Sequence, residues 1–370
     1  MRLPALKQLL VVTISCRALM LRSPIANKLI TAAFTTGLVT LVTIPAAPED
    51  LSLTVAGGGP MTLPTVNFQR DHVHNKFKSL SGEKIKIVPH LMGGVCTEYK
   101  CVEAARRQSI DIAALSCGDM GAFGLTLTLL ELPFIFRTSN AAESILNNWL
   151  MRKLRTGMRQ NENLQLMAVF PIGSFKGIAT TSGPLRIPKE LSKYNIRVSK
   201  SPTEFSLIHE WNAVAIPHDW DRLSGKLARG AIQGLYVSAP TLLSDELSPH
   251  ITHFTRTGGI WDCGVLVMDM TRYRALPTWA VQAVDKLGPT LQRKFFASNL
   301  FRTERAYKAL ITRGIILYEP TEQEVLLWRQ STARAWRQLV GTFDPKDAQR
   351  SLSDQNLSDM IELMKKADAL

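Results

Sequence analysis

Arg197 sits inside a short apolar run, Ile196-Arg197-Val198, that ends at Ser199-Lys200-Ser201-Pro202. A guanidinium within a strand is costly to bury unless it is paired, and strand C-terminal ends in α/β sheets open onto the ligand crevice. Its planar fork can hold both oxygens of a carboxylate, so the chemistry on offer is anion capture. An edge strand facing water would leave the same arginine solvated, and the pattern by itself does not choose. Catalytic signatures are missing. Gly57-Gly58-Gly59 follows a strand-like run but lacks both the GxGxxG spacing and a following Gly-Lys-Ser/Thr, and no serine lies in a GxSxG elbow. His72 and His74 flank Val73, and His250 and His253 flank Ile251-Thr252, without Cys, Asp or Glu at metal-ligand spacing. No metal and no cofactor is expected.

The elements that must carry Arg197 alternate between strand and helix, the pattern of an α/β fold with covered sheets. Strands are expected at 51–55, 85–89, 110–116, 164–170, 177–181, 195–198, 234–237 and 264–268. Helices are expected from about Pro64 to Leu80, from Gly94 through Arg107, and from Pro277 to Arg313 without a sharp break after Pro289. Thr321–Val340 reads as one amphipathic helix with Trp328 and Trp336 on a packing face.

Length and charge narrow the class. A chain of 370 residues holds two domains, and 20% charged with 45% hydrophobic residues fits a globular protein. The net charge of +13 raises the question of nucleic acid, but Arg2, Lys7, Arg17, Arg22 and Lys28 all fall ahead of the first acidic residue. The other cations are scattered without aromatic interleaving, so no nucleic-acid partner is expected. Leu29–Ile44 is an apolar run preceded by Arg22 and Lys28 and followed by Pro45-Ala46-Ala47-Pro48. These are the parts of a secretory signal, shorter than a membrane span, with cleavage expected near Ala46 or Ala47 and Met20 a possible true start. Attachment of lipid at Cys16 is the weaker alternative. Export makes disulfides possible among Cys96, Cys101, Cys117 and Cys263, and sequence leaves all three pairings open. Cys96 and Cys101 can bridge if Cys96 lies in a loop.

Three segments in order complete the reading: Leu132-Pro133-Phe134-Ile135-Phe136-Arg137, Ile196-Arg197-Val198, and Leu227-Ala228-Arg229-Gly230-Ala231-Ile232-Gln233-Gly234. With Ser81–Ile87, Gly93-Gly94, Ile110–Ala113 and Val265–Trp279, the chain from about Leu51 to Val340 resembles the extracytoplasmic solute receptors of tripartite ATP-independent periplasmic (TRAP) transporters, the dicarboxylate-receptor family. The resemblance implies a two-lobed periplasmic binding protein fold, with strands crossing the hinge and a long helix spanning both lobes. It implies a signal peptide at 1–47, lobe I at 51–174 plus 262–300, lobe II at 175–261 plus 301–355, and a tail at 356–370. It also implies an exported, non-catalytic receptor that takes a small organic acid and delivers it to the transporter's membrane subunits. Arg197 matches the arginine that pairs with the ligand carboxylate. The family's second arginine, in a Gly-Phe-Arg segment, falls on Lys176 of Gly173-Ser174-Phe175-Lys176, and its Asp-Gly becomes Gln233-Gly234. Ser116, Gly93, Tyr236, Ser238 and Trp261 are the further candidates for the ligand site. A binding component of an ATP-driven importer, an orphan receptor feeding a sensor protein, and a periplasmic enzyme are the competing readings.

Overall fold

The computed structural model describes residues 50–57, 74–90, 94–97, 99–121, 127–220, 222–244 and 246–370. The signal-like segment, Cys16, Gly58 and Gly59, His72, the first part of the helix expected from Pro64, and Gly93 lie outside the described residues.

Two sheets organise the described chain. The first has five strands in the order β2-β1-β3-β10-β4, formed by β1 (Leu51–Gly57), β2 (Ile85–His90), β3 (Ile112–Ser116), β4 (Leu164–Phe175) and β10 (Trp261–Asp269). β1 pairs in parallel with β2 and β3, and β10 runs antiparallel between β3 and β4. The second has six strands in the order β11-β9-β5-β8-β6-β7. Its members are β5 (Gly177–Thr180), β6 (Asn195–Val198), β7 (Val214–Pro217), β8 (Gly234–Val237), β9 (His253–Thr255) and β11 (Ile316–Tyr318). The strands expected from sequence are all present. β4 and β10 run longer than expected, and the short strands β7, β9 and β11 were not foreseen.

Both faces of the first sheet are covered. Val265 and Val267 of β10 join one apolar cluster, and Leu266 and Met268 join the other, as alternation along a strand requires. The second cluster receives helix α5 (Thr278–Thr312), which is continuous through Pro289 as expected. At 35 residues it reaches about 50 Å. Its Ala283, Leu287, Leu291 and Phe295 pack on the first sheet, and its Ala306, Tyr307 and Leu310 join the core of the second. A Cβ on Gly288 would overlap the carbonyl of Met167, so the helix lies against β4 as closely as backbone allows.

The chain passes from one sheet to the other at two adjoining places. β4 and β5 are separated by Lys176 alone, and β9 leads into β10 through Arg256–Ile260. Lys176 N–H donates to the Ile260 carbonyl at 2.8 Å, tying the crossings together. Behind them, Ser139 in α3 (Ser139–Ile145) accepts from Trp261 Nε1 and Asn299 Nδ2, each at 3.1 Å.

Two disulfides are formed, Cys96–Cys101 and Cys117–Cys263, with Cα separations of 5.0 and 5.4 Å. Cys96 lies in a loop, which meets the condition set by sequence. The single helix expected over 321–340 is instead two, α6 (Glu322–Gln330) and α7 (Ala333–Gln338). Ser331 and Thr332 cause the break: their hydroxyls bond back to the carbonyls of Trp328 and Arg329 at 2.7 and 2.8 Å, competing with the backbone ladder. Trp328 and Trp336 are fully buried as packing residues. Residues 356–370 carry helix α8 (Ser358–Lys366), whose Met360 and Met364 enter the larger core.

Candidate functional site

A cavity of about 50 Å³ lies between the two sheets, walled by Ala114–Ser116 of β3, Ile172 of β4, Arg197 of β6 and Tyr236 of β8. The first sheet contributes strand ends, and the second contributes the C-terminal ends of β6 and β8, where loops begin. Lys176 and Asp262, from the two crossings, sit between these walls. The sequence candidates Arg197, Lys176, Ser116, Tyr236 and Ser238 are therefore gathered in one place.

Arg197 is 2% exposed. Its Nε donates to the His218 carbonyl at 2.8 Å, and its guanidinium carbon stands 3.9 Å from the centroid of Trp220. Both partners come from the segment after β7, so that segment sets the plane of the fork. Cation–π stacking of this kind fixes the orientation of the guanidinium plane.

Lys176 is buried against three carboxylates. Its ammonium pairs with Glu204, with Glu131 at 3.6 Å and with Asp262 at 3.9 Å. Burial alone would pull its pKa down, but Glu204, then Glu131 and Asp262, push it above the usual lysine range. Lys176 thus commits its charge to an internal cluster of carboxylates.

Each acid is set by its own element. Glu204 is the third residue of helix α4 (Pro202–Glu210), capped by Ser201, whose Oγ accepts from Glu204 N–H at 3.2 Å. The Glu204 carboxylate does not close a capping box. It accepts from Ser199 N–H at 2.7 Å and faces Lys176. Glu131 ends helix α2 (Thr128–Glu131) and accepts from Ser201 Oγ at 2.7 Å. The turn after it places Phe134 at φ 58°, held by Phe134 N–H on the Gly259 carbonyl and Trp336 Nε1 on the Pro133 carbonyl. Asp119 lies in helix α1 (Cys117–Gly121) and accepts from Ser116 Oγ at 2.7 Å. Asp262 accepts from Ser238 Oγ.

Burial raises the Glu131 carboxyl to about 7, against the pull of Lys176. Burial likewise raises Asp119, opposed by the Ser116 hydrogen bond and Arg197, and raises Asp262, opposed by Lys176 and Ser238. The Tyr236 phenol is pushed up by burial, and its oxygen accepts from Ile260 N–H at 3.2 Å. Tyr236 therefore both lines the cavity and braces the second crossing.

Trp261 is not brought into the site. It is 1% exposed, stacked on Phe296 and edge-on to Phe136, with its N–H on Ser139. Its neighbour Asp262 faces the cavity instead. Sequence reasoning passed over Glu131, Glu204, Asp262 and Trp220. Glu131 in Leu129–Phe136 and Asp262 in Ile260–Cys263 are lone acids inside apolar runs, and a buried acid needs partners. That signal was available.

Residues 64–342 match the family model DctP, described as bacterial extracellular solute-binding protein, family 7. Among curated relatives, the C4-dicarboxylate-binding protein DctB of Bacillus subtilis (strain 168) is 30% identical over 131 residues, 34% of this chain and 37% of that protein. The matched region thus spans well under two thirds of that relative's length. Among solved structures, the sugar acid binding protein DctPAm from Advenella mimigardefordensis strain DPN7T, in complex with galactonate, superposes with a TM-score of 0.77. It is 16% identical, over 87% of this chain and 100% of that one. A TRAP periplasmic solute binding protein from Desulfovibrio desulfuricans, with bound sn-glycerol-3-phosphate, gives 0.75 at 18% identity, over 82% and 96%. At such identities the likeness is one of fold.

Proposed function

We propose, on the premise that the chain belongs to the bacterial extracellular solute-binding proteins of family 7, that it is a receptor that closes two lobes around a small organic acid. The acid is then delivered to the membrane subunits of a TRAP-type secondary transporter. The observation that carries this reading is Arg197: a buried guanidinium at the end of β6, braced by His218 and Trp220, in a cavity walled by both sheets. A carboxylate placed there would be met by charge-assisted hydrogen bonds in a fixed plane. Ser116, Ser238 and Tyr236 line the same space and orient the rest of the molecule.

The first sheet, apart from its end residues Phe175 and Trp261, falls in lobe I (51–174 plus 262–300) and the second in lobe II (175–261 plus 301–355), with the crossings at Lys176 and Arg256–Ile260 as the hinge. Ligand contacts made to both lobes favour the closed arrangement by their differential affinity. The relatives' bound anions, a sugar acid and a glycerol phosphate, agree with capture of an anionic group. The protein acts outside the cytoplasm, in the periplasm, where both disulfides persist. No helix among the described residues is long and apolar enough to cross a membrane.

A thermal-shift screen against organic acids tests the reading. A ligand at a hundred times its Kd adds about 2.7 kcal/mol of stability. We expect at least one acid to do so with the native protein and to lose the effect on Arg197→Ala. Full stabilisation of Arg197→Ala by that acid would remove Arg197 from the contact.

A further inference from the structure

Away from the cavity, a groove of about 650 Å³ lies between the helix Met151–Asn161 and α5 at Pro289 and Gln292. Arg152, Arg155 and Arg159 line it, and no acid does among the described residues. Steps of three and four residues place these arginines on one face of one helix, spread over about 10 Å. Like charges at that spacing repel, and none of the three has an ion pair among the described residues. Burial, opposed by Asp285 and aided by the Arg159 charge, holds Arg155 below the usual arginine range. Asp285 itself accepts from the Tyr273 hydroxyl at 2.7 Å. Such a concentration of cations breaks a local rule with no compensation inside the fold, which is the mark of a functional surface.

Two of the arginines are anchored. Arg155 donates through Nε and a terminal nitrogen to the carbonyls of Leu166 and Met167 in β4, at 3.2 and 3.0 Å. Arg159 Nε donates to Gln165 Oε1 at 2.7 Å. A guanidinium tied down in this way has its direction set before a ligand arrives, which lowers the cost of ordering it on binding. Just upstream, Leu146–Leu150 form a π turn, a rare distortion that gathers at functional sites, and it brings Asn147 and Asn148 to the groove. Gln292 Nε2 donates to Asn147 Oδ1 at 3.0 Å, so Asn147 keeps its NH2 group as a donor.

We propose that this groove is a second binding site, separate from the cavity and independent of the receptor reading, for an anion that carries two or three phosphoryl groups. A phosphate monoester bears about −1.5 to −2 charges near neutral pH. One phosphate or one carboxylate therefore falls short of three guanidiniums, whereas two phosphoryl groups match them. The arginine fork pairs with phosphate oxygens two at a time, and three forks in a row suit phosphoryl groups in a row. A soluble oligophosphate and a lipid headgroup with two phosphates share this chemistry.

The test titrates tripolyphosphate by calorimetry into the native protein and into Arg197→Ala, which takes the cavity's arginine out of the comparison. We expect both to bind, and either Arg152→Ala or Arg159→Ala to weaken binding roughly tenfold or more. Both of those arginines are exposed, so neither change disturbs the core. A ranking on the native protein needs no variant: tripolyphosphate and pyrophosphate should bind more tightly than phosphate and citrate. Sedimentation with phosphatidylcholine vesicles doped with cardiolipin, a lipid with two phosphates, identifies the source. Capture that fails on Arg152→Ala and Arg159→Ala assigns a lipid headgroup, whereas tripolyphosphate binding without capture assigns a soluble oligophosphate. Citrate at the top of the ranking overturns the phosphoryl specificity. Binding lost on Arg197→Ala moves the anion to the cavity, overturning the groove and leaving the receptor reading intact. Binding unchanged in both groove variants, or absent for tripolyphosphate and vesicles alike, removes the site.

Discussion

Glu131 carries the clearest pH signature of any side chain near the cavity. Its carboxyl is raised from 4.5 to about 7 by burial, with Lys176 opposing. A folded-state pKa above the unfolded one means that the folded protein holds the extra proton between those values. Stability is then highest below about pH 4.5 for this group and declines as pH rises through 7. We expect unfolding free energy to fall over that window, and Glu131→Gln to flatten the slope; an unchanged slope would show that Glu131 does not hold the proton. The neighbouring acids Asp119 and Asp262 shift the same way and add to the trend. Arg197 stood out in the sequence as a cation inside an apolar strand, but the pattern left a solvated edge arginine equally open, and the resemblance is what pointed it toward a ligand. Glu204 was not legible, because Ser201-Pro202-Thr203-Glu204 reads as a helix cap whichever way the carboxylate turns.

The long helix shows what element-level reading can and cannot supply. Its extent from Thr278 to Thr312 followed from apolar periodicity, and the proline at 289 did not end it. What periodicity cannot reveal is the contact at Gly288, where a methyl group would overlap the Met167 carbonyl of β4. Neither backbone can give way, since both belong to regular elements. Gly288→Ala should therefore cost about 3 kcal/mol in chemical denaturation, despite alanine's higher helix propensity. A stabilised or neutral variant would mean that helix and strand can separate locally. The break between α6 and α7 was invisible for a related reason: Ser331 and Thr332 are tolerated in helices unless their hydroxyls turn back on the ladder. The short strands β7, β9 and β11 have three or four residues each, too few to show alternation.

At the scale of the whole molecule, the two disulfides constrain very different lengths of chain. Cys117–Cys263 closes a sequence separation of 146 residues, and Cys96–Cys101 one of 5. Loop-closure entropy assigns roughly 5 kcal/mol to the first and roughly 2 kcal/mol to the second. The double variant Cys117→Ser/Cys263→Ser should therefore lose more stability than Cys96→Ser/Cys101→Ser. The reverse order, measured by denaturant melts, would argue that residual structure dominates the unfolded chain. The two-sheet architecture followed from strand–helix alternation and the resemblance together. The narrowness of its crossing did not, because nothing in Phe175-Lys176-Gly177 marks a passage of one residue. That passage has a consequence in time. The backbone of Lys176 carries the turn from β4 to β5 while its ammonium is held by Glu131, Glu204 and Asp262, which come from different parts of the chain. In the proposed closure, rotating one sheet against the other would pull that ammonium from at least one carboxylate. On the proposed receptor reading, the residence time of a captured molecule would then be governed at the pivot as well as at its own contacts, so two ligands of equal affinity should leave at similar rates when both wait on the same ion pairs.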